Sequence, residues 1–227
     1  MPPSPPKRRK GTGASLEKIA NHLLVIAGAY SYRLRERGPS AGGVFWKNDD
    51  GQILRYDILL SILDERDHRD GVSINDLGCG YGVLFDLIED QPFMREGRFY
   101  GYDICPDMVE EARKLHRDPR AHFSIAATPT HEADYSFVSG TYNMCIEAER
   151  GAWSDYIFES LAMLWNKSRR GIAFNMLDAR TRVHIDDLYY ADRADFLDFA
   201  HTLSDDVTIV DDYPLDEWTI FIRRSPK

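Results

Sequence analysis

Short apolar runs alternate along the chain with longer stretches whose apolar positions recur at helical spacing. The short runs lie at 72–77, 100–103, 121–126, 134–138, 171–177, 207–210 and 217–223, and helical stretches lie at 83–89, 106–115, 153–165 and 195–203. Strands separated by helices are typical of an α/β fold with a parallel sheet. Only a short turn joins the last two runs, which predicts an antiparallel pair at the C-terminus.

The N-terminal region has a different pattern. Residues 1–13 contain proline, basic residues and glycine with almost no apolar content, which predicts a disordered arm. Residues 14–36 then carry apolar positions at helical spacing, and Gly38-Pro39 ends the helix. The basic start and the apolar run also resemble a secretion signal, but Asn21 and His22 interrupt it. We therefore predict a helical cap at 14–42 and a main domain at 43–227.

Glycines occupy alternate positions just after the first predicted strand, in Asp76-x-Gly78-x-Gly80-x-Gly82. Glycine allows positive φ and a close approach of the backbone to a ligand, although such a turn equally suits tight packing. The next strand ends at Asp103, where a carboxylate can accept hydrogen bonds from both hydroxyls of a ribose. This acid favours a nucleotide site over a packing turn.

These two stretches resemble the first two motifs of the class I S-adenosylmethionine-dependent methyltransferases. Val83 stands where a dinucleotide-binding fingerprint has its third glycine, which disfavours NAD. The resemblance implies a three-layer Rossmann-like sandwich with a seven-stranded, mostly parallel sheet and an antiparallel C-terminal strand. It places the glycine turn against the methionine part of S-adenosylmethionine (SAM), Asp103 on the ribose, and Ile104 and Met108 near the adenine.

The loops after the third and fourth strands complete the expected cofactor site. The family usually has an acid after the third strand, whereas this chain has Ala127-Thr128-Pro129, so Thr128 or backbone groups would replace it. Residues 139–143 should border the transferable methyl group, because ligands bind at the carboxyl ends of parallel strands. The predicted cofactor-binding residues are Arg55, Asp76, Gly78, Cys79, Gly80, Gly82, Asp103, Ile104, Met108, Thr128, Ser139 and Gly140.

The segment before the first motif resembles that of bacterial methyltransferases that modify surface polysaccharides or other small acceptors. Trp46 would then be a lid or pocket wall, with core packing as the alternative. Arg55 would pair with the cofactor carboxylate, and a surface salt bridge is an equal alternative.

Polar and aromatic residues are concentrated in the predicted insertion 178–204, on the side of the sheet where acceptors bind. His184 is the candidate general base, against the alternative of a solvated loop histidine. Predicted substrate-binding residues are Trp46, Tyr142, Asn143, Tyr189 and Tyr190, although Asn143 equally suits a turn.

Charge and cysteine content narrow the function classes. A formal net charge of -9 over 227 residues disfavours a broad nucleic-acid surface. Three cysteines, none at metal-ligand spacing, indicate a reducing compartment, and we expect a cytoplasmic protein without a metal or a membrane span. A homodimer is compatible with the N-terminal helix.

We therefore predict a SAM-dependent methyltransferase acting on a small-molecule or saccharide acceptor, with S-adenosylhomocysteine (SAH) as the product. Two other classes fit less well: a non-catalytic SAM-binding sensor or subunit, and an NAD-dependent oxidoreductase. Methylation of nucleic-acid bases is disfavoured because no Asn-Pro-Pro-Tyr-type motif follows the fourth strand.

Overall fold

A computed structural model of the protein describes residues 13–64, 67, 71–146 and 148–225. The helices are α1 (Gly13–Arg37), α2 (Asp49–Leu60), α3 (Val83–Ile88), α4 (Pro106–Leu115), α5 (Arg150–Asn166) and α6 (Arg193–Leu203). The strands are β1 (Ser73–Leu77), β2 (Arg98–Asp103), β3 (Ala121–Ile125), β4 (Ala133–Val138), β5 (Ser168–Asp178), β6 (Tyr190–Ala191), β7 (Asp206–Val210) and β8 (Glu217–Arg223). Short 3₁₀ helices lie at Ala41–Val44 and Pro92–Met94.

The sheet has the order β3-β2-β1-β4-β5-β8-β7, and the two-residue strand β6 adds to β5. Strands β1 to β5 are parallel, whereas β8 is antiparallel to both of its neighbours. The predicted α/β class, the main path of seven strands and the antiparallel C-terminal pair are confirmed. Strand β6 lies in the segment after β5 that the sequence analysis interpreted as an insertion.

Helices cover both faces of the sheet, so the molecule has the expected three layers. One apolar cluster joins α1, α5 and α6 to the sheet, and its largest buried side chains include Trp153, Phe196 and Trp218. The other cluster joins α2, α3 and α4 to the opposite face through Leu59, Phe85 and other buried residues. Alternate residues of the central strands β5 and β8 belong to the two clusters because strand side chains point to opposite faces.

Local sequence signals explain where the helices begin. Pro106 is the first residue of α4, where its missing N–H leaves no hydrogen bond unmade. The side chain of Asn48 caps α2 by accepting a hydrogen bond of 2.9 Å from the amide of Gly51. The side chain of Asp192 likewise accepts from the amide of Ala194 at the start of α6.

The N-terminal helix runs from Gly13, slightly before the predicted cap at 14–42. Its residues Ile19 and Ile26 belong to the apolar cluster that also contains α5 and α6. The predicted disordered arm, residues 1–13, lies outside the described residues except for Gly13. The division into cap, main domain and insertion stays a prediction.

The carboxyl ends of β1, β2 and β4 form one edge. Strand β1 is in register with both neighbours, since Leu77 pairs with Tyr102 on one side and Val138 on the other. The chain segments that follow these strands therefore begin side by side, which is where open α/β sheets bind ligands.

Phe196 is expected to carry much of the packing between α6 and the sheet, because its ring is fully buried against Phe158, Phe174 and Trp218. Phe196→Ala should lower the free energy of unfolding by about 3–5 kcal/mol, measured by urea denaturation. The control Asp198→Ala, at an exposed position of the same helix, should change it by no more than about 0.5 kcal/mol. A loss below about 1 kcal/mol for Phe196→Ala would contradict this packing.

Candidate functional site

A cavity, here called the edge cavity, lies at the carboxyl ends of β1, β2 and β4. Its floor comes from Leu77 to Tyr81, Val83, Asp103, Ile104, Ala126 and Ala127, and the loop after β4 contributes Ser139 to Tyr142. Helix α1 and the segment before α2 contribute Leu23, Ile26, Tyr30, Val44 and Trp46, α2 contributes Gln52 and Tyr56, and α5 contributes Trp153 and Tyr156. The cavity therefore lies between the sheet edge and three helices.

Glycines with positive φ form the loop after β1, at +79° for Gly78, +55° for Gly80 and +97° for Gly82. A Cβ atom on Gly78 would collide with Thr141, and one on Gly82 would collide with His116. A Cβ on Gly80 would meet only Val44, at 3.5 Å, in the cavity wall. Packing therefore requires glycine at the first and third positions, whereas Gly80 has room beside its Cα. Gly78 and Gly80 both line the cavity.

Asp103 ties the glycine loop to the end of β2. Its carboxylate accepts hydrogen bonds from the amides of Gly80 at 2.9 Å and Cys105 at 2.8 Å, and the side chain lines the cavity. Burial raises the pKa of this carboxyl, while the hydrogen bonds from Cys105, Gly80 and Ile104 oppose the rise. The same group thus holds the loop and presents a carboxylate to a ligand.

Asp76 lies behind the loop and is not among the residues that line the cavity. Its side chain is 1% exposed, and its Oδ2 atom has no hydrogen-bond partner among the described residues. Burial, and to a smaller extent the charge of Asp103, raises the pKa of Asp76 to about 8. The carboxyl is therefore largely protonated near neutral pH.

The ring of Trp46 lies between the guanidinium of Arg55 and the backbone of Gly140. The guanidinium of Arg55 lies 3.9 Å from the centre of its ring, and a Cβ on Gly140 would come within 2.3 Å of the same ring. Arg55 itself donates to the carboxylate of Glu217, including bonds of 2.9 and 2.8 Å from Nε. The predicted lid or wall residue Trp46 lines the cavity, whereas Arg55 supports it from behind.

The ion pair behind Trp46 continues to the loop after β4. Glu217 accepts a hydrogen bond of 3.0 Å from the amide group of Asn175, whose Oδ1 accepts from the backbone amide of Gly140 at 2.8 Å. The side chains of Arg55 and Glu217 are only 10% and 2% exposed. Arg55 therefore makes a buried ion pair instead of the surface salt bridge that was one alternative from the sequence, and its contact with the cofactor carboxylate stays a prediction.

The loop after β4 turns two groups towards the cavity. Ser139 is 9% exposed, lines the cavity, and its hydroxyl has no hydrogen-bond partner among the described residues. Tyr142 also lines the cavity, but its hydroxyl pairs with the hydroxyl of Ser160 at 2.7 Å. Asn143 is buried outside the cavity walls, where its backbone bonds to Gly140 and Tyr189.

The loop after β5 does not reach the cavity walls. His184 is exposed and stacks on Tyr190 with the ring centres 4.1 Å apart, and the hydroxyl of Tyr190 accepts a hydrogen bond from the amide of Ile185. Tyr189 is buried in the apolar cluster that contains α5. The structure therefore separates His184, Tyr189 and Tyr190 from the edge cavity, contrary to their predicted position.

Other predicted cofactor residues also lie away from the cavity surface. Met108 is buried in a small cluster with Tyr81 and Cys105, one layer behind the wall. Thr128 and Gly82 are not wall residues, whereas Cys79, Ile104 and Gly140 are. The loop after β3 meets the cavity through Ala126 and Ala127 instead.

The sequence analysis missed the wall residues of α1 and α5. The helical spacing of Leu23, Ile26 and Tyr30 predicts that this face of α1 packs against the rest of the protein. It does not predict that the same face lines a cavity. Helix α1 is held over α4 by hydrogen bonds from Ser31 and Arg35 to Asp107.

Comparison with known proteins identifies the family. Residues 75–151 match the family described as "Methyltransferase domain". The curated "Putative methyltransferase Rv1506c" of Mycobacterium tuberculosis is 38% identical over 160 residues, which cover 69% of this chain and 95% of that protein. The chain belongs to the S-adenosylmethionine-dependent methyltransferases.

Solved structures show that this methyltransferase shares its fold with more distant proteins. A DhpI–SAH complex is 13% identical, with a TM-score of 0.62 over 92% of this chain and 99% of the other. Magnesium protoporphyrin IX methyltransferase of Synechocystis PCC 6803 with bound SAM is 18% identical, with a TM-score of 0.56 over 77% and 80%.

The edge cavity of the methyltransferase fits SAM. The carboxylate of Asp103 lines the cavity, and a Cβ on Gly80 would make only an ordinary contact, with Val44 at 3.5 Å. Both features suit a polar ligand that lies across the carboxyl ends of the strands.

No helix within the described residues is both long and apolar enough to cross a membrane.

Gly140 and Trp46 should be energetically coupled because a Cβ on Gly140 would collide with the indole ring. Gly140→Ala should lower the free energy of unfolding by more than the about 1–2 kcal/mol that a left-handed non-glycine residue costs. In a Trp46→Ala background the loss of unfolding free energy caused by Gly140→Ala should fall towards that value. Urea denaturation of wild type, the two single variants and the double variant measures the difference.

A matched control is Gly28→Ala, since a Cβ there meets nothing within 4 Å and the position is helical. This change should be neutral or stabilising. Additive effects of Gly140→Ala and Trp46→Ala, within about 0.5 kcal/mol, would contradict the coupling.

Asp76 should make the stability of the protein fall as pH rises. Its pKa is about 8 in the folded state and about 3.9 in an unfolded chain, so the folded protein holds a proton that the unfolded chain releases between these values. The stabilising effect is present below about pH 4 and is lost as pH rises towards 8.

The variant Asp76→Asn keeps the shape and stays neutral, so it removes this dependence. The unfolding free energy of the variant relative to wild type should increase from pH 5 to pH 8, by up to about 1.4 kcal/mol per pH unit, in urea denaturation. The exposed control Asp90→Asn should follow the wild-type curve. Parallel curves for Asp76→Asn and wild type would mean that Asp76 is ionised in the folded protein.

Proposed function

We propose that the edge cavity binds SAM along its floor and a small-molecule acceptor between α1 and α5. The observation that carries this proposal is the carboxylate of Asp103, which lies at the end of β2 and bonds to the amide of Gly80 in the glycine loop. A carboxylate fixed in this way can accept hydrogen bonds from both ribose hydroxyls. Gly80 then lies beside the methionine part of the cofactor.

The adenine end of the cofactor is assigned to Ile104, Ala126 and Ala127. These side chains line the cavity next to Asp103 and offer apolar surface without a charge. Met108 is buried next to Cys105, outside the walls, and Thr128 and Asp76 do not line the cavity. In this assignment the adenine is bound by apolar contacts in the place where the family has an acid after the third strand.

The acceptor end is assigned to the cavity walls beyond the glycine loop. Ser139 and Gly140 lie next to the position of the transferable methyl group, with Trp46 and Tyr142 beside them. When bound, SAM supplies a methyl group on a positively charged sulfur, which is already electrophilic. The protein's residues then have to align the acceptor and exclude water, which helices α1 and α5 do by covering the cavity.

A small molecule fits this space better than a polymer chain. The cavity is enclosed between the carboxyl ends of the strands and helices α1, α2 and α5, and apolar and aromatic side chains form most of its walls, as is usual for small-molecule sites. A saccharide and other small acceptors differ in the polar groups that they would bring to these walls.

Binding calorimetry of SAM, SAH and NAD to wild type and Asp103→Ala tests the proposal. We expect SAM and SAH to bind and Asp103→Ala to weaken both by about 1–3 kcal/mol, the scale of hydrogen bonds to a charged group. The exposed control Asp90→Ala should bind like wild type. Binding of NAD without SAM or SAH would refute the proposal, and unchanged affinity in Asp103→Ala would move the ribose contact to another residue.

A further inference from the structure

We infer that the acceptor is a planar aromatic molecule whose methyl-accepting oxygen is ionised before transfer, so that none of the described wall residues has to act as a general base. The inference rests on the proposed function of the edge cavity. It disfavours a saccharide hydroxyl as the acceptor, a class that the sequence alone kept open.

The acceptor end of the cavity offers ring faces and apolar side chains. The rings of Trp153 and Tyr156 lie with their centres 5.2 Å apart, and Tyr142 meets Tyr156 edge-on at 6.3 Å. Leu23 and Ile26 of α1 line the same cavity. Flat apolar walls of this kind suit an aromatic ring, which stacks on other rings and buries a large apolar area.

Two polar atoms of these walls are already paired within the protein. The indole N–H of Trp153 donates to the backbone oxygen of Tyr142 at 3.0 Å, and the hydroxyl of Tyr142 pairs with that of Ser160. A saccharide carries many hydroxyls, and each one buried without a partner is unfavourable by about 1–3 kcal/mol. These two groups are therefore not available to the hydroxyls of a sugar.

No described wall residue is suited to take a proton from an acceptor hydroxyl. The described titratable groups of the wall are Asp103, Cys79, Tyr30, Tyr56, Tyr81, Tyr142 and Tyr156, and no histidine, lysine, arginine or glutamate is among them. Burial raises the pKa of each of these groups, which keeps the thiol and the phenols neutral at ordinary pH. The carboxylate of Asp103 is engaged by Gly80 and Cys105.

Ser139 provides one hydrogen bond where the acceptor oxygen is expected. Its hydroxyl is buried in the cavity wall and has no partner among the described residues, so it is free to donate to a ligand. A hydrogen bond to a charged oxygen is stronger than one to a neutral oxygen. Because no described wall residue carries a positive charge, the charge that attracts an anionic acceptor comes from the bound cofactor.

The transfer then balances without a proton acceptor among the described wall residues. The acceptor loses its proton to solvent before it binds. A lone pair of its anionic oxygen forms the bond to the methyl carbon, and the carbon–sulfur bond breaks with its electron pair remaining on sulfur. An anion and a sulfonium cation thus become a neutral methyl ether and a neutral thioether.

The rate of transfer to substituted phenols tests this inference. In a series whose pKa values lie at or below that of an ordinary phenol, about 10, the inflection of kcat/KM with pH should move with the pKa of each phenol. An inflection at the same pH for every phenol would reveal a base in the protein and overturn the inference. Transfer to methyl glucoside in preference to the phenols would overturn it as well, while leaving the methyltransferase function intact.

Binding without turnover gives a second readout. Saturation-transfer NMR on the SAH-loaded protein should detect phenol and give a signal at least about tenfold weaker for cyclohexanol and methyl glucoside, because only the planar ring can stack on the walls. Equal signals for phenol and cyclohexanol would remove the aromatic requirement. If the protein bound neither SAM nor SAH in calorimetry, the proposed function would fail first, and this inference with it.

The variant Ser139→Ala distinguishes a role of this hydroxyl in binding the acceptor from a role in binding the cofactor. It should raise the KM for an ionised phenol by roughly tenfold or more, the scale of a hydrogen bond to a charged group, and leave SAM affinity unchanged. The control Ser61→Ala, at an exposed serine after α2, should leave both unchanged. A loss of SAM affinity with an unaltered KM for the phenol would assign Ser139 to the cofactor and overturn its proposed role.

Discussion

The register of three parallel strands is the constraint on which this site depends. Strand β1 is aligned with both β2 and β4, so the segments that begin with Gly78, Asp103 and Ser139 emerge together at one edge. A shift of one residue would turn the buried side chains of a strand to the opposite face. Because apolar clusters cover both faces, the packing of two helical layers fixes the register and with it the site.

Two kinds of charged group lie near the cavity. Arg55 and Glu217 form an ion pair behind its walls, and Asp103 lines it at the end assigned to the cofactor. The ion pair of Arg55 and Glu217 supports Trp46 and, through Asn175, the loop after β4. An unpaired charge in this position would be strongly destabilising, whereas the pair fixes the geometry of two cavity walls. The walls assigned to the acceptor carry no charged side chain among the described residues, which suits the proposed acceptor that itself brings the charge.

Local sequence was sufficient for the parts of the site that lie on one continuous segment. The glycine turn, the acid at the end of β2 and Pro106 at the start of α4 are encoded by backbone conformation and spacing, which nearby residues determine. The same spacing located Ser139 and Gly140 at the exit of β4. It did not show that packing requires glycine at positions 78 and 82, whereas Gly80 has room beside its Cα.

The sequence by itself determined the fold class, the antiparallel pair at the C-terminus and the cofactor motifs, because periodicity and glycine spacing are local properties. Tertiary structure decided which distant side chains meet. It paired Arg55 with Glu217, 162 positions away, and brought Tyr30 and Tyr156 into one cavity while leaving His184 at the surface. Such contacts depend on how helices pack across the sheet, and a helical period states only that a face is covered, not what covers it.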